Sequence, residues 1–314
     1  MEQSTREAYG KALVELGRQN PDIVVLDADL SKSTMTTFFA KEFPNRFFNC
    51  GIAEQNMIGI AAGLAASGKT AFASTFAVFA PGRCFDQIRM SVAQPGLNVK
   101  IVTSHSGITV GEDGTSHQAV EDLALICSLP GFTVIVPADA NEAVQAVKLA
   151  SQTYGPFYIR LSRPKTPLVY APDYKFTPGK AATLKEGKDI AIIATGIMVA
   201  YALEAAQNLA KDGIACRVLS MSTLKPLDTD AIVKAARETG AILTAEEHLR
   251  RGGLGSAVAQ IAAEHCPVPM SFIAIKDMYA KSGKAEELLK KHGLTAPDIE
   301  NAVRSLIPRK RSSS

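Results

Sequence analysis

The chain has 314 residues, of which 46% are hydrophobic and 21% charged, and its formal net charge is +3. This length suffices for two domains of ordinary size, and 34 basic against 31 acidic residues give no electrostatic case for a nucleic-acid partner. No segment approaches the roughly 20 consecutive apolar residues that span a bilayer, so a membrane partner is not expected either.

The cysteines and the two ends of the chain indicate the cellular compartment of the protein. Five cysteines are scattered without a CxxC pair, a pattern that favours reduced thiols over disulfides or a zinc site. The N-terminus has no signal-peptide pattern, and the basic tail at 309–314 is interpreted as a solvated end of the chain. We therefore expect a cytoplasmic protein.

The first half of the chain alternates short apolar runs with helical patterns. Strands are predicted at 23–26, 70–75, 99–102, 133–136 and 157–159. Uninterrupted apolar runs of this length are typical of strands buried on both faces, as in a mainly parallel sheet. Between them, the spacing of Phe85, Ile88 and Val92 predicts a helix, and Asp139 is expected to cap another.

At 164–188 the pattern lapses, and four prolines without periodicity predict a linker. Strands are then predicted at 190–194, 216–219, 241–245 and 272–275, with helices at 199–210, at 231–236 and after 252–255. The run Gly252-Gly253-Leu254-Gly255 is interpreted as a tight turn, with an anion cradle as the alternative. We predict an α/β protein of two doubly wound domains with mainly parallel sheets, at 1–163 and 189–308.

Two polar or aromatic clusters interrupt the apolar patterns of the first domain. Glu54 opens a helix of small and apolar residues, where it either stabilises the helix N-terminus or forms a dry carboxyl whose pKa is raised by desolvation. Phe76 and Phe79 follow the strand at 70–75. They pack in the core or form a stacking wall for a flat heteroaromatic cofactor.

A third cluster, at 104–118, contains His105, Asp113 and His117 among several glycines. It follows a predicted strand, where ligand-binding loops lie in open α/β sheets. A metal site is the less favoured interpretation, because neither histidine has a third ligand at a fixed helical spacing. No GxGxxG phosphate-binding pattern follows a predicted strand.

Together these segments resemble transketolase, a thiamine-diphosphate enzyme. The matching motifs run through nearly the whole chain: Thr5-Arg6, Asp27-Ala28-Asp29, Ile52-Ala53-Glu54-Gln55-Asn56, Ser74-Thr75-Phe76, Phe85-Asp86-Gln87-Ile88-Arg89-Met90, Gly111-Glu112-Asp113-Gly114, Ser116-His117-Gln118, Leu161-Ser162-Arg163-Pro164, Glu246-Glu247-His248 and Gly252-Gly253-Leu254-Gly255.

Transketolases have three domains, and the chain resembles the pyrimidine-binding and C-terminal domains of that family. The diphosphate-binding domain with its metal motif has no counterpart here. The resemblance therefore implies one subunit of a split transketolase, which binds thiamine diphosphate together with an N-terminal diphosphate-binding subunit, two copies of each. Mg²⁺ or Ca²⁺ would bind through that partner, and no metal ligand is expected in this chain.

The resemblance also assigns cofactor residues. The family carboxyl that matches Glu54 hydrogen-bonds the aminopyrimidine nitrogen N1′ and thereby promotes removal of the thiazolium C2 proton. Phe76 matches the ring that stacks on the pyrimidine, and Phe79 another wall of the pocket. Asp29 matches an acid near the cofactor and the subunit interface, and a further family aromatic falls at Gly82.

Substrate residues follow in the same way. His105 and His117 match histidines that contact the donor sugar or assist proton transfer, and Asp113 matches an acid that reads a substrate hydroxyl. Three residues match groups that grip the acceptor phosphate: Arg6, Ser33 and Arg163. Arginine suits that role because its planar guanidinium presents a fork of donors.

The expected reaction is transfer of a two-carbon ketol unit from a ketose phosphate to an aldose phosphate. The enzymatic alternatives are the beta subunit of a 2-oxo acid dehydrogenase and a deoxyxylulose-phosphate-synthase-like enzyme; the former would be expected to lack both the phosphate-gripping set and the 104–118 pattern. A non-catalytic regulatory paralogue would favour loss of Glu54 or of the cluster at 104–118, called the histidine loop below, and both are present.

Overall fold

The computed structural model describes residues 2–310, which form strands and helices in regular alternation. In chain order the strands are β1 (Glu2–Ser4), β2 (Ile23–Asp27), β3 (Phe47–Asn49), β4 (Thr70–Phe76), β5 (Val99–Ser104), β6 (Thr133–Ile135), β7 (Phe157–Arg160), β8 (Lys165–Pro167), β9 (Ala182–Lys185), β10 (Ile190–Ala194), β11 (Cys216–Ser220), β12 (Thr223–Lys225), β13 (Ile242–Leu249) and β14 (Met270–Ile275).

The α-helices cover most of the segments between these strands. They are α1 (Thr5–Gln19), α2 (Ser31–Thr34), α3 (Thr37–Glu42), α4 (Glu54–Ala66), α5 (Phe85–Gln87), α6 (Asp122–Cys127), α7 (Ala140–Gln152), α8 (Met198–Lys211), α9 (Thr229–Thr239), α10 (Leu254–His265), α11 (Ala285–His292) and α12 (Ala296–Leu306). Helix α5 continues into a π-helical turn, Ile88–Ala93, so the helix predicted around Phe85 and Val92 is present. None of the helices in the described part of the chain is both long and apolar enough to cross a membrane.

The first sheet has seven strands in the order β12-β6-β7-β5-β4-β2-β3. All neighbours pair in parallel except β12, which runs antiparallel to β6. Every residue of β2, β4, β5 and β7 is buried, as expected of apolar strands covered on both faces. The edge strand β12 comes from the second half of the chain, so the two halves share this sheet.

The second sheet has five strands in the order β14-β13-β10-β11-β9. Three of its four pairings are parallel, and the edge strand β9 is antiparallel to β11. The α/β class with two mainly parallel sheets is therefore confirmed. Within 164–188, where the sequence predicts a linker, the structure contains β8, which pairs with β1, and β9.

Two local predictions concern helix starts. Asp139 caps α7 as expected, since its Oδ1 accepts from the backbone N–H of Glu142 at 2.8 Å. At the Gly-rich run before α10, the Glu246 carboxylate accepts from the backbone N–H groups of Leu254 and Gly255, both at 2.7 Å. The turn does cradle an anion at a helix start, and the anion is a side chain of the same protein.

Candidate active site

The carboxyl ends of β4, β5 and β7 lie side by side in the first sheet, and the chemically distinctive residues follow them. Phe76 ends β4, His105 follows β5, and Arg163 lies just beyond β7. His105 has a positive φ of 58°, a conformation that is uncommon outside glycine and turns the chain sharply at the end of the strand. This edge is where open α/β sheets bind ligands.

Four rings from this edge form one aromatic cluster. The imidazole of His105 stacks on Phe76, with ring centroids 3.8 Å apart and an interplanar angle of 22°. Phe79 lies nearly parallel to Phe76 at 5.8 Å, and His117 approaches Phe79 edge-on at 5.4 Å. The structure thus brings together four of the residues that the sequence singled out, two of them from a loop distant in sequence.

The two histidines are each tied to the preceding serine. The Nδ1 atoms of His105 and His117 lie 2.9 Å from the hydroxyls of Ser104 and Ser116, respectively. Burial, followed by the charges of Arg6, Arg163 and His117, lowers the pKa of His105 to about 3. His105 is therefore neutral at physiological pH, so it can orient a hydroxyl or carbonyl without carrying charge into the site.

Glu54 is the buried acid of the site, with 3% of its surface exposed. Arg83, which sequence reasoning missed, donates from Nη1 to Glu54 Oε1 at 2.9 Å. The Arg83 guanidinium carbon also lies 3.9 Å from the centroid of the Phe79 ring. Arg83 therefore connects the buried carboxylate to the aromatic cluster. In the sequence, its position directly after Gly82 in an otherwise apolar segment is the one feature that could have indicated a role for it.

A basic cavity of about 350 Å³ lies beside the histidine loop and is lined by Arg6 and Arg163 among others. Arg6 donates to the backbone carbonyl of Ser33 at 2.8 Å, and burial together with the charge of Arg163 lowers the pKa of Arg6. Arg163 lies 3.5 Å from the Asp113 carboxylate. Lys284, from the second half of the chain, also lines this cavity and was not among the predicted residues.

Asp29 is placed apart from these contacts. It is exposed, has a positive φ of 64°, and its carboxylate accepts from Asn49 at 2.9 Å. Its neighbour Asp27 is instead fully buried and accepts from Thr34 and Thr36 at 2.7 and 2.9 Å. Within residues 2–310 there is no group of three or more His, Cys, Asp or Glu side chains that could hold a metal ion.

Comparison with known proteins identifies the family. The model of the transketolase pyrimidine-binding domain matches residues 1–169, and that of the transketolase C-terminal domain matches residues 179–299. The chain belongs to the transketolase family. Both domains of the chain are transketolase domains, and the assignment from sequence motifs is confirmed.

Transketolase relatives of the same length are known. A protein of Methanocaldococcus jannaschii described as a transketolase C-terminal section is 46% identical over 301 residues, which covers 95% of this chain and 94% of that protein. The 6-deoxy-6-sulfo-D-fructose transketolase subunit SqwH of Clostridium sp. is 43% identical over 305 residues, or 97% and 95%. Animal transketolases are matched over only about half of their own length.

A solved transketolase structure has the same fold. It is described as a split-gene transketolase in an inactive beta4 tetramer, and it is 56% identical with a TM-score of 0.92, covering 98% of this chain and 99% of that one. The chain therefore corresponds to the C-terminal subunit of a split transketolase, and the family supports a transferase-type enzyme.

Proposed function

We propose that this chain and a separate diphosphate-binding chain form a thiamine-diphosphate-dependent transketolase. The enzyme transfers a two-carbon ketol unit from a ketose phosphate to an aldose phosphate. The observation that carries the proposal is the buried Glu54 carboxylate, which Arg83 links to the parallel rings of Phe76 and Phe79. Catalysis then requires the complex, and the chain alone is inactive.

The residues present fit the aminopyrimidine half of thiamine diphosphate. A buried carboxylate supplies an acceptor for a protonated ring nitrogen, and two phenyl rings supply an apolar face for a flat heterocycle. When bound, the cofactor would supply a nucleophilic thiazolium carbon for ketol transfer. Glu54 would hold a proton at N1′, and Phe76 and Phe79 would hold the ring. Asp29, which lies apart from these three residues, would lie near the cofactor at the subunit interface.

The histidine loop and the basic cavity would bind the sugars. Neutral His105 and the half-exposed His117 would orient the donor hydroxyl and carbonyl or assist proton transfer there. Asp113 reads a substrate hydroxyl. Three groups bind the acceptor phosphate: Arg6, Ser33 and Arg163. Lys284 adds a third cation to the cavity that Arg6 and Arg163 line, and a sulfonate is the alternative anion there.

The diphosphate and its Mg²⁺ or Ca²⁺ ion belong to the partner chain in this proposal, with two copies of each chain in a heterotetramer. Exposed apolar residues support a partner that covers this surface. Phe48 lies on β3, Ile52 just before α4, Ile60 on α4, and Met90 on the π-helical turn that packs against α4. Contiguous apolar surface marks interaction sites, and these residues come from elements that follow one another in the chain or pack together. The five cysteines have no disulfide partner, which supports a cytoplasmic location.

Reconstitution tests the split enzyme. The purified chain with thiamine diphosphate and Mg²⁺ should show no ketol transfer, and activity should appear when a diphosphate-binding transketolase chain is added. Robust transfer by the single chain would refute the split-subunit proposal. Oxidative decarboxylation of a 2-oxo acid by the complex, in place of ketol transfer, would establish the dehydrogenase alternative; no activity with any partner would favour the regulatory paralogue.

Glu54→Gln tests the assigned proton site, since it keeps the side-chain shape and removes the ionisable proton. In the reconstituted complex the variant should slow exchange of the thiazolium C2 hydrogen for deuterium by at least about 100-fold. Glu15→Gln, which changes an exposed carboxylate on α1, serves as the matched control and should exchange at the wild-type rate. Unchanged exchange in Glu54→Gln would exclude the role.

A further inference from the structure

The histidine loop, defined here as residues 104–118, is held by the second half of the chain. Glu247 lies on β13 and has only 3% of its surface exposed. Its Oε1 accepts from the backbone N–H of Thr109 at 2.7 Å. A Cβ on Gly107, which has a positive φ of 72°, would overlap the Glu247 carboxylate. The loop therefore wraps closely around this one side chain.

A second set of contacts holds the far end of the loop. Thr115 donates to the carbonyl of Ala280 at 2.5 Å, and Gln118 donates to the carbonyl of Lys281 at 3.2 Å. A Cβ on Gly114 would overlap the Ser282 hydroxyl. These contacts fix the segment that carries Asp113 and His117, whereas Glu247 acts near His105.

Glu247 itself has a rigid support. Its backbone carbonyl accepts from Arg160 Nη2 at 3.1 Å, and the Arg160 guanidinium forms two further bonds to the Asp122 carboxylate. Burial raises the pKa of Glu247 to about 7, against the charge of Arg160. Burying a carboxyl is costly, and a hydrophobic residue would fill the same space, so packing alone does not explain the choice of glutamate.

We propose that Glu247 is a positioning residue through which the C-terminal domain sets the geometry of the histidine loop and thereby the affinity of the sugar site. Glu247 touches no substrate: it accepts from the Thr109 amide and thereby fixes the part of the loop that follows His105. The claim about sugar affinity rests on the function proposed above, whereas the claim about loop geometry does not.

The first test uses the isolated chain, so it is independent of any partner. Amide hydrogen exchange is followed at residues 105–118 in wild type, Glu247→Ala and Glu247→Gln. Loss of the acceptor in Glu247→Ala should speed exchange of the Thr109 amide by about tenfold, and Glu247→Gln, which keeps an acceptor oxygen, should restore the rate to within about threefold of wild type.

Glu246→Ala provides the matched control. Glu246 is equally buried on the same strand, but its carboxylate binds the start of α10 instead of the loop. Its removal should leave exchange at 105–118 unchanged while loosening α10. Wild-type loop exchange in Glu247→Ala, or equal acceleration of loop exchange by Glu246→Ala, would overturn the proposal.

The second test uses the reconstituted complex. Glu247→Ala should raise the KM for the donor sugar about tenfold, with Glu247→Gln near wild type and thiamine diphosphate affinity unchanged within about twofold. An unchanged donor KM in Glu247→Ala would overturn the link to sugar affinity. If the wild-type complex itself lacks ketol transfer, the proposed function fails, and the exchange measurements still decide whether Glu247 positions the loop.

Discussion

The buried ion pair between Asp122 and Arg160 offers a quantitative test of how the structure is held together beneath the histidine loop. The Arg160 guanidinium donates to both Asp122 oxygens, at 2.8 and 3.1 Å, and Tyr158 donates to the same carboxylate at 2.8 Å. The two charged side chains are 4% and 2% exposed. Asp122→Asn keeps the shape but removes the charge and turns one acceptor into a donor.

Removing one partner of a buried ion pair leaves an uncompensated charge, which costs about 3–5 kcal/mol. Because the Glu247 carboxylate also attracts Arg160, we expect Asp122→Asn to lower the free energy of unfolding by about 3 kcal/mol. The double variant Asp122→Leu with Arg160→Met removes both charges. It should lower the free energy of unfolding by less than Asp122→Leu and Arg160→Met do in sum when made singly, because the double variant leaves neither charge alone.

Urea unfolding at constant protein concentration, followed by circular dichroism and extrapolated linearly, measures these differences. Asp230→Asn is the control, because Asp230 is 93% exposed and only weakly paired, so its effect should stay within about 0.5 kcal/mol. A cost below about 1 kcal/mol for Asp122→Asn would refute the reasoning. So would simple additivity of the two single changes.

Three further outcomes are expected. Burial raises the pKa of Glu142 from 4.5 to about 7, so between these pH values the folded state keeps a proton that the unfolded chain releases. The free energy of unfolding should therefore fall as the pH rises from 4.5 to 7. In urea titrations Glu142→Gln should reduce that fall by up to roughly 3 kcal/mol. Arg163→Lys should raise the KM of a phosphorylated acceptor about tenfold in the complex, but not that of an unphosphorylated one. Gly17→Ala should destabilise by about 1–3 kcal/mol in thermal unfolding, because its Cβ would lie 2.6 Å from two phenylalanine rings, whereas Gly59→Ala, with open space around it, should not.

Much of the fold could be predicted from the sequence, because most of its central strands are short, uninterrupted apolar runs. The sequence predicts strands at the positions of β2, β4, β5 and β10, and every residue of these strands is buried. The strands that were not predicted, such as β3 and β12, have three or four residues each. A run that short carries no hydrophobic period, and only its neighbours in the sheet make it a strand.

The candidate site divides in the same way. Glu54, Phe76 and His105 interrupt apolar patterns at the ends of strands or the start of a helix, so they were visible locally. Arg83 was missed because its pairing with Glu54 depends on how two segments approach in space. Glu247 was recognised only as part of a motif, since nothing near Thr109 in sequence indicates that its amide binds a residue of another domain.

The edge strand β12 has a consequence for folding during synthesis. The first sheet receives its last strand from residues far downstream of β7, beyond β10 and β11. During translation the N-terminal half therefore leaves the ribosome with the backbone of β6 unpaired on one side, and it stays so until Thr223–Lys225 are synthesised. An open edge of this kind invites pairing with other chains. A fragment that stops in the segment 164–188 should accordingly aggregate when expressed alone, and should be rescued when the second half is supplied.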